Sequence, residues 1–131
     1  MKNIKLRAWY EEEKEMQRVT DIYFNKKTGE IESFVAKGKK CNYHTDFDNH
    51  KLMQYTGIED ENGVEIYEGD IVKLIIDEFG SDIGVIKFEM GGFVIDYKNL
   101  DTEFEWLYYV QDDCDIEVIG NIYENNDLLE G

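Results

Sequence analysis

The sequence contains no proline, and only 2 cysteines and 2 histidines among its 131 residues. Without proline, its turns must be made by Gly, Asn and Asp, which also tolerate turn geometry. Cys41 and Cys114 lie far apart and form no C-x-x-C pair, which reads as two reduced thiols and not as a redox motif. No apolar run approaches the roughly 20 residues of a membrane span. Residues 1–7 alternate charged and apolar groups, so they lack the continuous apolar stretch of a secretory signal. These absences predict a cytoplasmic protein that does not engage membranes. No P-loop, G-x-G-x-x-G or Ser/His/Asp pattern is present either.

Positive charge is scarce beyond residue 51. Residues 1–51 hold 11 Lys/Arg and 9 Asp/Glu, whereas residues 52–131 hold 3 and 21. The net charge of −16 therefore divides into +2 and −18. A surface of that sign repels nucleic-acid phosphates and anionic lipid and suits a basic protein partner.

What the chain has in quantity is aromatic residues and short-spaced turn signals. Its 9 Tyr, 7 Phe and 2 Trp supply a core. Turn signals fall at 25–29, at Asn62-Gly63, at Gly69-Asp70, at 79–82 and at Gly91-Gly92. Between them, apolar residues alternate with polar ones, the period of half-buried strands. Strands are expected over 4–10, 19–24, 31–36, 52–58, 64–67, 71–76, 83–89, 93–97 and 116–123. Residues 71–76 are almost continuously apolar, which predicts cover on both faces. Gly91-Gly92 is expected to supply the positive φ angles of a hairpin turn. Gly120 predicts a bulge in the last strand. Thr102 and Glu105 have capping-box spacing, but the aromatics of 102–109 suit a strand equally. Asp112-Asp113 reads as a turn, and 126–129 as one closing helical turn. The polar stretch 46–51 divides an N-terminal β subdomain, 1–50, from an acidic C-terminal one, 51–131.

Specific strings then carry a resemblance. They are Leu52-Met53-Gln54-Tyr55-Thr56-Gly57, Asp60, Asn62-Gly63 and the run from Glu65 to Val72. A second block runs from Val118 to Asn125 with Leu128-Leu129, and the opening strand is Ile4-Lys5-Leu6-Arg7-Ala8-Trp9. In this order they resemble the YopX-like family of phage and prophage proteins. Tyr10, where an acidic residue is expected, and Asn126, where Pro is expected, depart from the family pattern. The resemblance implies a bacterial host, small β-barrel subdomains with little helix, and subunits that can exchange segments. It carries no catalytic residue. The Gly69-Asp70-x-Val72 entry into a strand is also similar to the start of SH3-like barrels, which bind peptides, nucleic acid or nothing.

Four groups of residues could carry chemistry. His44, Asp46, Asp48 and His50 would share one face of an extended segment and offer a divalent metal two imidazoles and two carboxylates; the alternative is a hydrophilic loop. Asp112, Asp113, Asp115 and Glu117 could act as an acid–base pair or form a solvated face. Lys37, Lys39 and Lys40, beside Tyr43, could contact single-stranded nucleic acid or form a solvated turn. Phe104, Trp106, Tyr108 and Tyr109 could line a groove or pack a core.

The favoured reading is a non-enzymatic, cofactor-free interaction protein that meets a basic protein partner through its acidic C-terminal face, as in mimicry of DNA phosphates. The alternatives are a nucleic-acid-binding accessory protein using the N-terminal lysines and a metal-dependent enzyme built on the His44–His50 segment. Small β subdomains with modest cores also predict a homo-oligomer.

Overall fold

The structure is a computed structural model. It describes residues 4–45, 47, 49–78, 80–98 and 104–130, the side chains at 76 and 77 excepted. The strands are β1 (Leu6–Tyr10), β2 (Glu15–Phe24), β3 (Ile31–Lys37), β4 (Asn42–Thr45), β5 (His50–Glu59), β6 (Glu65–Tyr67), β7 (Asp70–Asp77), β8 (Gly80–Glu89), β9 (Gly92–Tyr97), β10 (Glu105–Trp106) and β11 (Asp115–Asn121). One helix, α1 (Leu107–Asp113), and a 3-10 turn over Asn126–Leu129 complete the described elements. The chain forms two compact units, Met1–Gln54 and Tyr55–Gly131.

In the first unit the spatial order is β4-β3-β2-β1 followed by the first half of β5, all antiparallel. Its hydrophobic core is small: Ala8, Phe34 and Ala36, flanked by Val19 and Leu52. Rings extend it. Tyr43 on β4 lies 4.6 Å from the Tyr10 ring on β1 and 5.6 Å from the His50 ring on β5. Trp9 and Tyr10 are both buried, so the alternation expected in the first strand gives way to cover on both faces.

In the second unit the later half of β5 pairs with β6, and β10-β9-β8-β7-β11 form a five-stranded antiparallel sheet. Ile66, Val72, Leu74, Ile86, Ile95, Leu107, Val110 and Ile116 make its core. Here burial of apolar area, at about 25 cal/mol per Å², is the main stabilising term.

The mainly β class expected from alternation is the class observed. The closed SH3-like barrels are not: among the described residues both sheets are open. The reason lies in short end strands. β4 has 4 residues and β10 has 2, too few to complete a closing ladder. In the first unit side-chain rings, and not backbone hydrogen bonds, join β4 to β1 and β5.

Several local expectations shift. Ile71 and Val72 are both buried, but Ile75 on the same strand is 38% exposed. The residues read as a turn at Asp112-Asp113 form the end of α1, whose first residue is Leu107. Trp106 precedes it without a side-chain cap, and Glu105 belongs to β10 instead of a capping box. Thr102 lies outside the described residues.

The β8–β9 hairpin is displaced by one residue from its expected turn. Glu89 faces Gly92, so the two loop residues are Met90 and Gly91, with φ of 50° and 81°. Two positive φ values are the signature of a type I′ turn, where Asn-Gly is preferred. Gly92 is a glycine for space and not for backbone angle. A Cβ there would lie 2.7 Å from Cζ3 of Trp106, whose ring packs against it.

Met90 is 76% exposed, so its side chain contributes little packing to offset the left-handed conformation. Met90→Asn should therefore stabilise the protein by about 0.5–1 kcal/mol, and Gly92→Ala should destabilise it. Thermal or urea melts of the two variants give the comparison.

Candidate functional site

The strings that carry the family resemblance build turns. Asp60 follows β5 and is 8% exposed. Its Oδ1 accepts from the backbone N–H groups of Asn62 (2.8 Å) and Val64 (2.9 Å). Its Oδ2 accepts from Val118 N–H on β11 at 2.9 Å. Glu61 N–H donates to Ile116 O at 3.0 Å alongside. The β5–β6 turn is thus fastened to the last strand, across 58 residues of chain.

The other strings behave alike. Asp70, 1% exposed, accepts from Tyr67 N–H at 2.7 Å. Gly69 donates to Ile86 O and accepts from Ile122 N–H. Gly120 is where β11 changes register, as its position in the strand predicted. A Cβ on Gly120 would lie 2.6 Å from Asn125 Oδ1, which accepts from Asn121 N–H. Asn121 Oδ1 in turn accepts from Tyr123 and Glu124 N–H.

Beside this framework the second unit carries an open groove of about 710 Å³. One wall is β5 residues 55–59; the other holds Phe93, Trp106, Tyr108 and Gln111. Tyr108 is 65% exposed, and the Trp106 ring packs closely against Gly92. A smaller cleft of about 140 Å³ adjoins it, sharing Glu59 and Gln111 and adding Glu61, Cys114 and Asp115.

Electrostatics differ along this region. Burial raises the Asp60 carboxyl, but its three N–H donors outweigh that and hold it below its ordinary value. Glu61 is pushed up by burial and then by Asp115, Glu117 and Asp60. Cys114 is also raised, by burial and then by Asp113, Glu105 and Asp115, which keeps it a thiol and a poor nucleophile.

The YopX protein family matches residues 5–130. The chain belongs to that family. An SPbeta prophage-derived YopX protein of Bacillus subtilis (strain 168) is 36% identical over 75 residues, which is 53% of this chain and 53% of that protein. This sequence match spans about half the length of that YopX relative. The crystal structure of protein EF1440 from Enterococcus faecalis is similar with a TM-score of 0.64 and 28% identity, covering 99% of this chain and 100% of that one. The X-ray structure of YopX from Bacillus subtilis gives a TM-score of 0.64 at 26% identity, over 96% of this chain and 98% of that one. The strings that carried the resemblance are ones that hold turns together in this chain.

The residues singled out in the sequence are placed as follows. His44 is exposed on β4, with Nε2 3.1 Å from Ser33 Oγ and its ring 5.2 Å from Tyr23. His50 opens β5, 3% exposed, with Nε2 3.0 Å from Gln17 Oε1 and its ring stacked on Tyr10 at 4.3 Å. Asp46 and Asp48 lie outside the described residues. Among the described residues no group of three or more His, Cys, Asp or Glu is gathered as for a metal.

Asp112 and Asp113 are exposed on α1, and Asp115 borders the cleft. Lys37 closes β3, and the loop after it is tied to the acids of β2 and the preceding turn. Lys39 N–H donates to Glu15 at 2.8 Å, and Lys40 Nζ lies 3.8 Å from Glu13. The aromatic group reaches the larger groove, through Trp106 and Tyr108.

The opposite wall at 55–59 and Glu61 in the cleft were not singled out as functional in the sequence; 55–57 entered only as part of the family resemblance. A run such as Thr56-Gly57-Ile58-Glu59 reads only as the end of a strand.

The lowered Asp60 carboxyl stabilises the fold fully above the ordinary carboxylate range near pH 4, and that contribution is lost as pH falls through the lowered value. Asp60→Asn should cost about 2 kcal/mol near neutral pH and flatten the acid limb of stability. Glu61 has the opposite sign: its charged form is disfavoured by folding, so Glu61→Gln should raise the melting midpoint near neutral pH. Thermal melts across the acid range separate the two.

Proposed function

We propose that this chain is a non-enzymatic interaction protein whose second unit recognises a basic protein through its carboxylates. The observation that carries this reading is the charge balance of that unit. Residues 55–131 hold 21 Asp/Glu against Lys73, Lys87 and Lys98. Two of those three cations have internal partners. Lys87 Nζ lies 2.6 Å from Asp96 Oδ2, and Lys98 Nζ donates to Glu130 O at 3.2 Å.

The carboxylates divide by role. Asp60 and Asp70 are buried and accept from backbone N–H groups, so they serve the fold. Glu59, Glu61, Glu105, Asp112, Asp113 and Asp115 are exposed and face water. An array of this kind raises the local concentration of cationic partners and steers their encounter, with a strong dependence on ionic strength. The prophage origin of the Bacillus subtilis relative fits an accessory protein that acts on a partner supplied by the host or the phage.

The loop at 38–41 argues against the nucleic-acid alternative. Glu13 lies 3.8 Å from the Lys40 ammonium, and Glu15 accepts from the Lys39 backbone N–H, so carboxylates reduce the net positive charge of this loop.

The test is affinity capture from bacterial lysate with the full chain and with a variant in which Glu59, Glu61, Asp112 and Asp115 become Gln or Asn. A basic protein should be retained at about 50 mM salt, released by about 500 mM, and lost with the variant. Retention that ignores salt and the substitutions, or capture of no basic protein, removes the basis of the reading.

A further inference from the structure

The groove and the cleft of the second unit are continuous in their lining, because Glu59 and Gln111 border both. Their chemistry differs along that path. The groove presents the faces and edges of Phe93, Trp106 and Tyr108 together with Ile58. The cleft presents Glu61 and Asp115, with Glu59 at the junction. Among the described residues, no hydrogen bond or ion pair engages the side chains of Glu59, Glu61 or Gln111.

An occupant must therefore offer flat or apolar surface to the rings and positive charge to the carboxylates within one short segment. Arginine does both. Its planar guanidinium stacks on aromatic faces and pairs with carboxylates in a two-pronged geometry, while its methylenes cover apolar surface. A lysine ammonium matches the charge but not the planar stacking.

We infer that this composite site binds an extended, arginine-bearing segment of a protein partner, one side chain seated against Trp106 and Tyr108 and a neighbouring one directed to Glu61 and Asp115. The inference rests on the proposed role of the second unit as an acidic docking surface, and it adds where the partner seats and which cation it uses. The crowding of Glu61 by Asp115 and Glu117 is in keeping with a site whose carboxylates gain from an external cation. Trp106 also suits a contact role: it is 36% exposed, and its ring packs closely against Gly92.

Hexa-arginine and hexalysine peptides, of equal charge, test the site on the full chain at low salt. Hexa-arginine should bind at least fivefold more tightly, change the fluorescence of Trp106 while the buried Trp9 stays silent, and shift the amide resonances of Gly57, Gly92 and Gln111. Trp106→Leu and Glu61→Gln should each weaken it about tenfold. Glu61→Gln removes charge without removing packing, so it remains informative if Trp106→Leu unfolds.

If both peptides bind equally and neither variant matters, the acidic surface stands and the composite site is overturned. If neither peptide binds at low salt, the acidic surface and the site fall together. Groove resonances that shift with protein concentration alone would assign the groove to a second copy of the chain and overturn the peptide.

Discussion

The Asp60 carboxylate fastens the second unit together. It follows β5, closes the turn into β6 through Asn62 and Val64, and accepts from Val118 on a strand more than fifty residues later. A buried carboxylate is stable only when its oxygens are satisfied, and three backbone donors satisfy this one. With Glu61 N–H bonded to Ile116 O beside it, the exposed edge of β11 is covered over two residues. The groove wall at 55–59 and the cleft residues Glu61 and Asp115 are positioned by that junction. Displacing Asp60 would loosen the framework and the candidate site at once.

The same logic accounts for the Asp, Asn and Gly in the strings that carried the resemblance. Gly69, Asp70, Gly120, Asn121 and Asn125 satisfy or make room for backbone groups where strands end. In a chain without proline, residues of these types carry much of the turning. The strings that carried the resemblance are thus spent on architecture. Among its charged residues the second unit is predominantly acidic, and a groove on it is lined in part by aromatics.

Legibility in the sequence followed the range of the interaction involved. The hairpins around Asn62-Gly63 and after β2 were readable because alternation and turn residues are local. The bulge at Gly120 was readable because a glycine inside an apolar strand has few other uses. The β8–β9 turn was misplaced by one residue, since Met90-Gly91-Gly92 offers two glycines and only packing against Trp106 reserves the second for space. The short helix was missed because Asp112-Asp113 has turn composition, and it is burial of Leu107 and Val110 that holds α1. His44 and His50 looked like one constellation in an extended segment. They stand instead on β4 and β5, one against Ser33 and Tyr23 in solvent and the other buried on Tyr10 and Gln17.

By itself, the sequence determined the mainly β class, most strand positions, the family, and the separation of charge between the first 51 residues and the rest. All of these are written in neighbouring residues or in composition. Only the tertiary structure decided that the sheets stay open and that residues 55–59, 92–93 and 106–111 meet around one groove with Glu61 and Asp115 at its end. The physical reason is that alternation assigns a side chain to a face but is silent on which distant strand that face will meet. That choice is made by long-range contacts such as Asp60 to Val118, whose partners carry no mark of each other in the chain.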